Sequence, residues 1–349
     1  MGLNLNLNIN GAKRRSILPP VAPTSFTSVF TVDTITGDLA WTDNSGGSAA
    51  YEIYSNTNEE GDVLLTTTAA GATSYGDTTC KQNASVVYTV RAKKGTIFST
   101  YATATALVTP LCWKTNQTTR TGVVINNLSI AAGKTVVITW GDGGTTSVTG
   151  NNTNITHTYA ASATNIFNIS MNGDLNSITV FYHFTQVKSY GNITNWTKFN
   201  LIVGLRLYGN AFTGDDVNNE IPASCSVVLM RLNALTGKLP NMITGSGGMI
   251  YDYSGNNITG SNLTVFKAGM TLFDISDQNS VFPTAEIDNL LLRLANWYQV
   301  NAPTDNCTFD MSGANMGIPT GGASNVDLVR LVGYYTAQSK TATVVIRTS

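Results

Sequence analysis

Apolar and polar residues alternate in short runs along most of this chain, and the period is that of β-strands. The opening LNLNLNI places Leu3, Leu5, Leu7 and Ile9 on one face of an extended segment. From Val21 to Pro110, runs rich in β-branched and aromatic residues, such as GDLAWT, YEIYSN and VVYTVRA, are separated by Gly, Asn, Asp and Ser turns. A second stretch of the same kind covers residues 111–184, with VVITWGDGGTTSV followed by ITHTYAASATNIFNISM. The helical period is convincing only in PTAEIDNLLLRLANWY, where Ile287, Leu290, Leu291, Leu294 and Trp297 or Tyr298 recur at helical spacing. Thr284 is placed to cap that helix, with Glu286 and Asp288 in its first turn. These patterns predict a mainly β chain.

From about Leu175 onward a short unit recurs: VGLRLYGNAFTG, VVLMRLNALTG, MIYDYSGNNITG, TLFDISDQN and CTFDMSGAN. Its starts lie roughly 21 to 25 residues apart until a longer last gap, the spacing of a stacked repeat. In each unit an apolar pair is expected to face the core: Leu205 with Leu207, Met230 with Leu232, Tyr251 with Tyr253, Phe273 with Ile275, and Phe309 with Met311. Side chains alternate along a strand, so the residues between the pairs, Arg206, Arg231, Asp252, Asp274 and Asp310, would face outward. Two positions further on, Tyr208, Asn233, Ser254, Ser276 and Ser312 would share that face. At about 4.8 Å per strand they form a polar ladder, basic at one end and acidic at the other. As a merely solvated face it would hold carboxylates of ordinary pKa, with an Arg231–Asp252 pair worth at most about 1 kcal/mol. Neighbouring like charges are mildly unfavourable. Their repetition asks for a reason, which a bound glycan, a cation or a partner's basic patch would supply.

Composition narrows the function classes. At 349 residues the chain exceeds what one core usually serves, so two or three domains are expected. Only 12% of residues are charged, the net charge is −1, and Lys13, Arg14 and Arg15 form the one basic cluster. That excludes a broad electrostatic footprint for nucleic acid. Cys80, Cys112, Cys225 and Cys307 are far apart and, with only His157 and His183 beside them, give no zinc-ligand spacing. They read as free, buried thiols, and neither metal nor cofactor is expected. No window approaches the roughly 20 apolar residues of a membrane span, and the N-terminus alternates where a signal peptide would be continuously apolar. The chain has the composition of an extracellular protein without a visible export signal, a conflict that synthesis in a host cytoplasm and work outside it would resolve, as would a mature chain whose signal has been removed, although Met1 argues against the latter. No GxSxG, HExxH, GxxxxGK[ST] or GxGxxG element is present. Asp252 and Asp274 would satisfy the carboxylate spacing of a glycoside hydrolase, but an acid catalyst needs a raised pKa, which a solvated row does not provide. A non-enzymatic protein is therefore expected.

Several segments resemble known families. Residues 21–110, through Trp41, the YEIYSN strand, Tyr75 and Tyr88, resemble a fibronectin type III domain, which implies that Trp41 and Tyr88 are core residues. The paired WGDG and HTY elements resemble a polycystic-kidney-disease type Ig-like domain. That resemblance implies a tight turn at Gly141, Asp142 and Gly143, with Tyr159 entering the core. Asp142 then reads as a turn cap and not a calcium ligand, and His157, with no carboxylate nearby in sequence, as a strand residue. The C-terminal unit resembles the LxLxxN signature of leucine-rich repeats, fully at Leu205, Leu207 and Asn210, and with aromatic replacements at Tyr251, Tyr253 and Asn256. Its last third, PTAEIDNLLLRL with PTGGASNVDLVRLVG, is similar to the ends of leucine-rich tail or virion proteins of Bacteroidetes phages. Together these imply an attachment arm at 1–20, two Ig-like β-sandwiches at 21–110 and 111–184, and a short irregular leucine-rich-repeat-like solenoid at 185–349. The helix of the last gap would close the stack. The implied role is a homo-oligomeric virion appendage of head or tail, joined through its arm to other virion proteins. It would display the repeat sheet to a host surface glycan or a neighbouring virion protein, with no membrane or nucleic-acid partner. A bacterial surface adhesin and a secreted carbohydrate-binding protein share these modules and stand as alternatives.

Overall fold

Alternation of apolar residues produces strands almost throughout, and the computed structural model is mainly β, with two α-helices among the described residues. It describes residues 18–31, 36–57, 61–80, 84–116, 122–159, 166–184, 189–192, 199–214, 220–243 and 248–347. The arm residues Leu3, Leu5, Leu7 and Ile9 lie outside that set, as does the basic triplet. The chain divides into two units, one drawn from residues 1–30, 37–78 and 86–107, the other from 31–36, 79–85 and 108–349.

In the first unit Ala50–Thr57 pairs antiparallel with both Gly61–Thr67 and Ser85–Lys94, and a second sheet holds Thr24–Thr31, Thr36–Thr42 and Ser74–Asp77. Strict alternation buries Val86, Tyr88, Val90 and Ala92 on one face of a single strand. Trp41 and Tyr51 meet between the sheets with ring centroids 5.3 Å apart, and the Tyr88 hydroxyl donates to Asp77 at 2.8 Å. Trp41 and Tyr88 are core residues.

The second unit begins with antiparallel sheets. Leu111–Asn116 pairs with Ile166–Gly173, which also pairs with Val136–Thr139, while Val123–Ile130 pairs with Asn151–His157. The latter sheet then continues, without a break, into a parallel array. Its strands are β1 (Ile178–Tyr182), β2 (Gly204–Arg206), β3 (Val227–Leu229), β4 (Gly248–Asp252), β5 (Gly269–Asp274), β6 (Cys307–Met311) and β7 (Ala342–Ile346). β1 pairs antiparallel with Val123–Ile130 and parallel with β2, and every later pair is parallel. Residues 111–184 and 185–349, expected as separate modules, thus share one nine-stranded sheet and one hydrophobic core running from Leu111 to Tyr335. β1 and β7 extend the array at both ends of the run recognised in the sequence.

Behind the array lie α1 (Thr284–Val300) and α2 (Val326–Ala337). α1 buries Ile287, Leu290, Leu291, Leu294, Ala295 and Tyr298, the face its periodicity predicts. It does not close the stack. It is a crossover between β5 and β6, and the sheet goes on through β7. Nor does Thr284 cap it: Pro283 holds the cap position, and no side chain accepts the first amides. Glu286 sits in the first turn, whereas Asp288 accepts from the amide and hydroxyl of Thr320. α2 is a second helix where one was expected. Asn325 caps it by accepting from the Asp327 and Leu328 amides at 3.0 and 3.1 Å.

All four cysteines are buried and unbridged. Burial pushes the Cys112 and Cys307 thiols up to about 12, so neither is a thiolate near neutral pH.

Candidate functional site

The ladder register decides which side chains share the outward face. Phe181, Leu205, Val228, Tyr251, Phe273, Phe309 and Val344 are cross-strand partners on the core side. The next position outward therefore runs Tyr182, Arg206, Leu229, Asp252, Asp274, Asp310, Val345. Arg231 does not lie in that row. In the third repeat the inward pair is Val228 with Met230, not Met230 with Leu232, so Leu229 takes the outward place. Leu232 is 59% exposed and left-handed, with φ 56°, at the corner where Gly209 and Gly255 stand in the repeats beside it. Arg231 falls in the adjacent row, with Tyr208, Ser254, Ser276 and Ser312.

Asn233, expected outward, points inward. Its Nδ2 donates to the carbonyls of Leu207 and Met230 at 2.8 and 2.9 Å, while its Oδ1 accepts from the Phe212 amide at 3.3 Å. Asn256 repeats this arrangement one strand on, and Gln278 one further. These amides tie each turn to the strand before it, satisfying buried backbone groups that would otherwise have no partner.

Each aspartate of the row is held by the serine two residues later on its own strand. Oδ1 of Asp252, Asp274 and Asp310 accepts from the serine amide at 3.1, 2.9 and 3.0 Å, and from its hydroxyl at 2.7, 2.7 and 2.6 Å. The row is not the freely solvated one expected. Asp252 is only 2% exposed and Ser276 6%, because strands stacked at about 4.8 Å leave short side chains shielded by those of their neighbours. Burial first, then the charges of Asp252 and Asp310 on either side, push the Asp274 carboxyl up against the hydrogen bonds from Ser276 that lower it. Asp274→Asn keeps the acceptor toward Ser276 and removes a destabilised charge. It should therefore raise stability at pH 7 by up to about 1 kcal/mol, a gain that should shrink as the pH is lowered and the wild-type carboxyl protonates. Denaturant melts of both proteins at two pH values check this, and destabilisation at neutral pH would contradict it.

The other end is basic and aromatic. The Arg206 guanidinium lies 4.4 Å over the Tyr182 ring, and its Nε is buried without a hydrogen-bond partner among the described residues. Phe184 stacks on Tyr208 at 4.7 Å, and the Arg231 guanidinium lies 5.0 Å from the Tyr208 ring. Arg231 Nη1 also reaches Asp252 Oδ2 at 3.7 Å. The structure thus brings together Arg206, Tyr208, Arg231, Asp252, Ser254, Asp274, Ser276, Asp310 and Ser312, and adds Tyr182, Phe184 and Leu229.

Two polar clusters elsewhere were not foreseen as clusters. His157 does have a carboxylate partner: its Nε2 lies 2.8 Å from Asp142 Oδ2, with its ring stacked on Trp140 at 4.9 Å. Burial raises the Asp142 carboxyl, but His157 and the Gly144 amide outweigh it and hold the group low, so the side chain is committed within its own turn. In the first unit Glu52 accepts from Arg91 Nη2 at 2.6 Å, Lys93 at 2.7 Å and the Tyr54 hydroxyl at 2.8 Å. These bonds overcome burial and bring its pKa down to about 2. The Arg91 guanidinium lies 4.0 Å from the Phe98 ring and 4.9 Å from the Tyr101 ring. The signal for it was period two: Glu52 with Tyr54, and Arg91 with Lys93, must share a face. Among the described residues no group of three or more His, Cys, Asp and Glu side chains is arranged to hold a metal, and no helix is long and apolar enough to cross a membrane.

No protein-family model matches this chain, and no curated protein matches it either.

Proposed function

We propose that this chain is a non-enzymatic appendage protein of a bacteriophage particle, and that the outward face of β2–β6 is its recognition surface for a polyhydroxylated ligand, a host surface glycan. In this reading residues 21–110 and 111–184 are Ig-like sandwiches, and β1–β7 form a short leucine-rich-repeat-like solenoid. The inward asparagines and the left-handed corners at Gly209, Leu232 and Gly255 support that assignment. The carrying observation is the row of Asp252, Asp274 and Asp310, each bonded to its own serine on adjacent strands. Folding does not require this regularity, and electrostatics opposes it at Asp274. The row's partly exposed members, Asp274, Asp310, Ser254 and Ser312, offer carboxylate acceptors and hydroxyls at the strand spacing of about 4.8 Å, and the half-exposed Arg231 guanidinium adds a donor beside them.

The test is the triple change of Asp252, Asp274 and Asp310 to Asn. Binding to surface polysaccharide extracted from host cells should fall at least about tenfold, roughly 1.4 kcal/mol, with the fold retained. Unchanged binding would remove this face and leave the loops of residues 21–184. Mass spectrometry of purified particles tests the virion assignment separately, and absence of the chain from them would sink it. One observation favours a second reading, hydrolysis of the same glycan, since the Asp274 carboxyl is shifted upward as an acid catalyst requires. Against it, Asp252 is buried and turned toward Arg231, a poor position for a base or nucleophile. Release of reducing ends from the polysaccharide would decide for hydrolysis.

A further inference from the structure

The sheet ends, among the described residues, at β7. One edge of β7 pairs with β6 and no strand lies on the other. Its core-side residues Ala342, Val344 and Ile346 are only partly buried, whereas their counterparts Phe309 and Met311 on β6 are fully enclosed. α2 leaves a matching surface. Arg330 reaches Asn296 and Gln299 on α1 at 3.0 and 3.1 Å, which fixes the side of α2 that faces α1. At about 100° per residue the sides turned away from Arg330 carry Val329, Val332 and Thr336, beside the buried Leu331 and Tyr335. Val329 is 57% exposed.

We propose that this end accepts residues 3–9 of a neighbouring copy as a further strand on β7. A strand at that position must present apolar side chains inward, over Val344 and the Val329–Val332 side of α2, and polar ones outward. LNLNLNI has that alternation, Leu3, Leu5, Leu7 and Ile9 on one side and Asn4, Asn6 and Asn8 on the other. Main-chain hydrogen bonds to an open edge supply the affinity and the leucine stripe supplies the specificity, while an apolar edge strand with no neighbour is otherwise an aggregation hazard. The residues before Leu18, extended at about 3.3 Å each, span up to about 56 Å, and Pro19–Pro20 stiffen the point of departure. One arm and one open edge per copy make a heterologous contact, which closes into a ring when the rotation allows. This contact is independent of the recognition face proposed above, and it names the recipient of the arm as a second copy of the chain.

The experiment uses purified full-length chain in solution, so its failure leaves particle membership untouched. Sedimentation at micromolar concentration should show an oligomer. Deleting residues 1–15 should give a monomer with an unchanged melting temperature. Val329→Glu, which changes an exposed side chain and leaves the core alone, should weaken association at least tenfold. Mixing Leu7→Cys copies with Ala342→Cys copies under oxidation should produce disulfide-linked pairs that neither forms alone. A monomeric full-length chain, an oligomer that survives deletion of the arm, or a mixture that gives no cross-link beyond those of each variant alone would overturn the proposal.

Discussion

Taking the protein from pH 7 to about pH 4 should cost the folded state about 3 kcal/mol through His183 alone. The residue follows β1, at the position that Leu207 and Met230 occupy in later repeats, and it is buried beside Trp113 and Phe212. Nδ1 donates to the Val124 carbonyl at 3.0 Å, which leaves Nε2 to accept from the Ser189 hydroxyl at 2.7 Å. Both contacts suit a neutral ring. Burial lowers its pKa from 6.5 to about 4, against the Val124 bond, which acts the other way. The unfolded chain therefore takes up a proton as the pH falls through about 6.5, while the folded chain does not until about 4. The contribution is complete above 6.5 and is lost across that window. Glu52, held down to about 2, adds its own loss only at lower pH. Unfolding free energies measured by denaturant between pH 7 and 4.5 should slope downward for the wild type. His183→Leu should be less stable at pH 7, because Val124 and Ser189 lose a partner, yet flatter over the same range. An equal slope in the variant would rule out His183 as the source.

Asn256→Ala should destabilise by about 2 kcal/mol. The side chain is fully buried. Its Nδ2 donates to the carbonyls of Met230 and Tyr253 at 3.0 and 2.9 Å, and its Oδ1 accepts from the Leu235 amide at 3.2 Å. Truncation strands the Leu235 amide where water cannot reach, at about 1 to 3 kcal/mol, and takes one of two donors from the Met230 and Tyr253 carbonyls, which keep Asn233 and Gln278. Asn256→Asp should be no better, since a carboxylate facing two carbonyls repels both. Asn279→Ala is the control. That side chain makes one exposed bond, to the Gly255 carbonyl at 3.1 Å, and its loss should cost well under about 1 kcal/mol. Comparable losses at Asn256 and Asn279 would show that the inward amides do not hold the turns.

The same two residues separate what local pattern reveals from what it hides. The Asn of LxLxxN was legible at 210 and 256, since it stands at a fixed offset from an apolar pair. At 233 it was assigned outward, because VVLMRLN has apolar residues at every candidate inward position. Period two accommodates Val228 with Met230 as readily as Met230 with Leu232. Pairing with Leu205 on one side and Tyr251 on the other selects the first, and Leu232 is left in a backbone conformation that leucine rarely takes.

By itself the sequence determined that the chain is mainly β, that Trp41 and Tyr88 are core residues, that α1 buries its Ile287 to Tyr298 face, and that Asp252, Asp274 and Asp310 share an outward row. The resemblance to a fibronectin type III domain implied the Trp41 and Tyr88 assignment; the others follow from the period of side chains along one element, which the chain carries locally. Tertiary structure alone decided that Asp252 is shielded, that His157 meets Asp142, that α1 is a crossover, and that one sheet runs through residue 184. Each depends on which strand lies beside which, and at what register. Those neighbours come from distant parts of the chain, and several registers satisfy the same alternation until the stack is assembled.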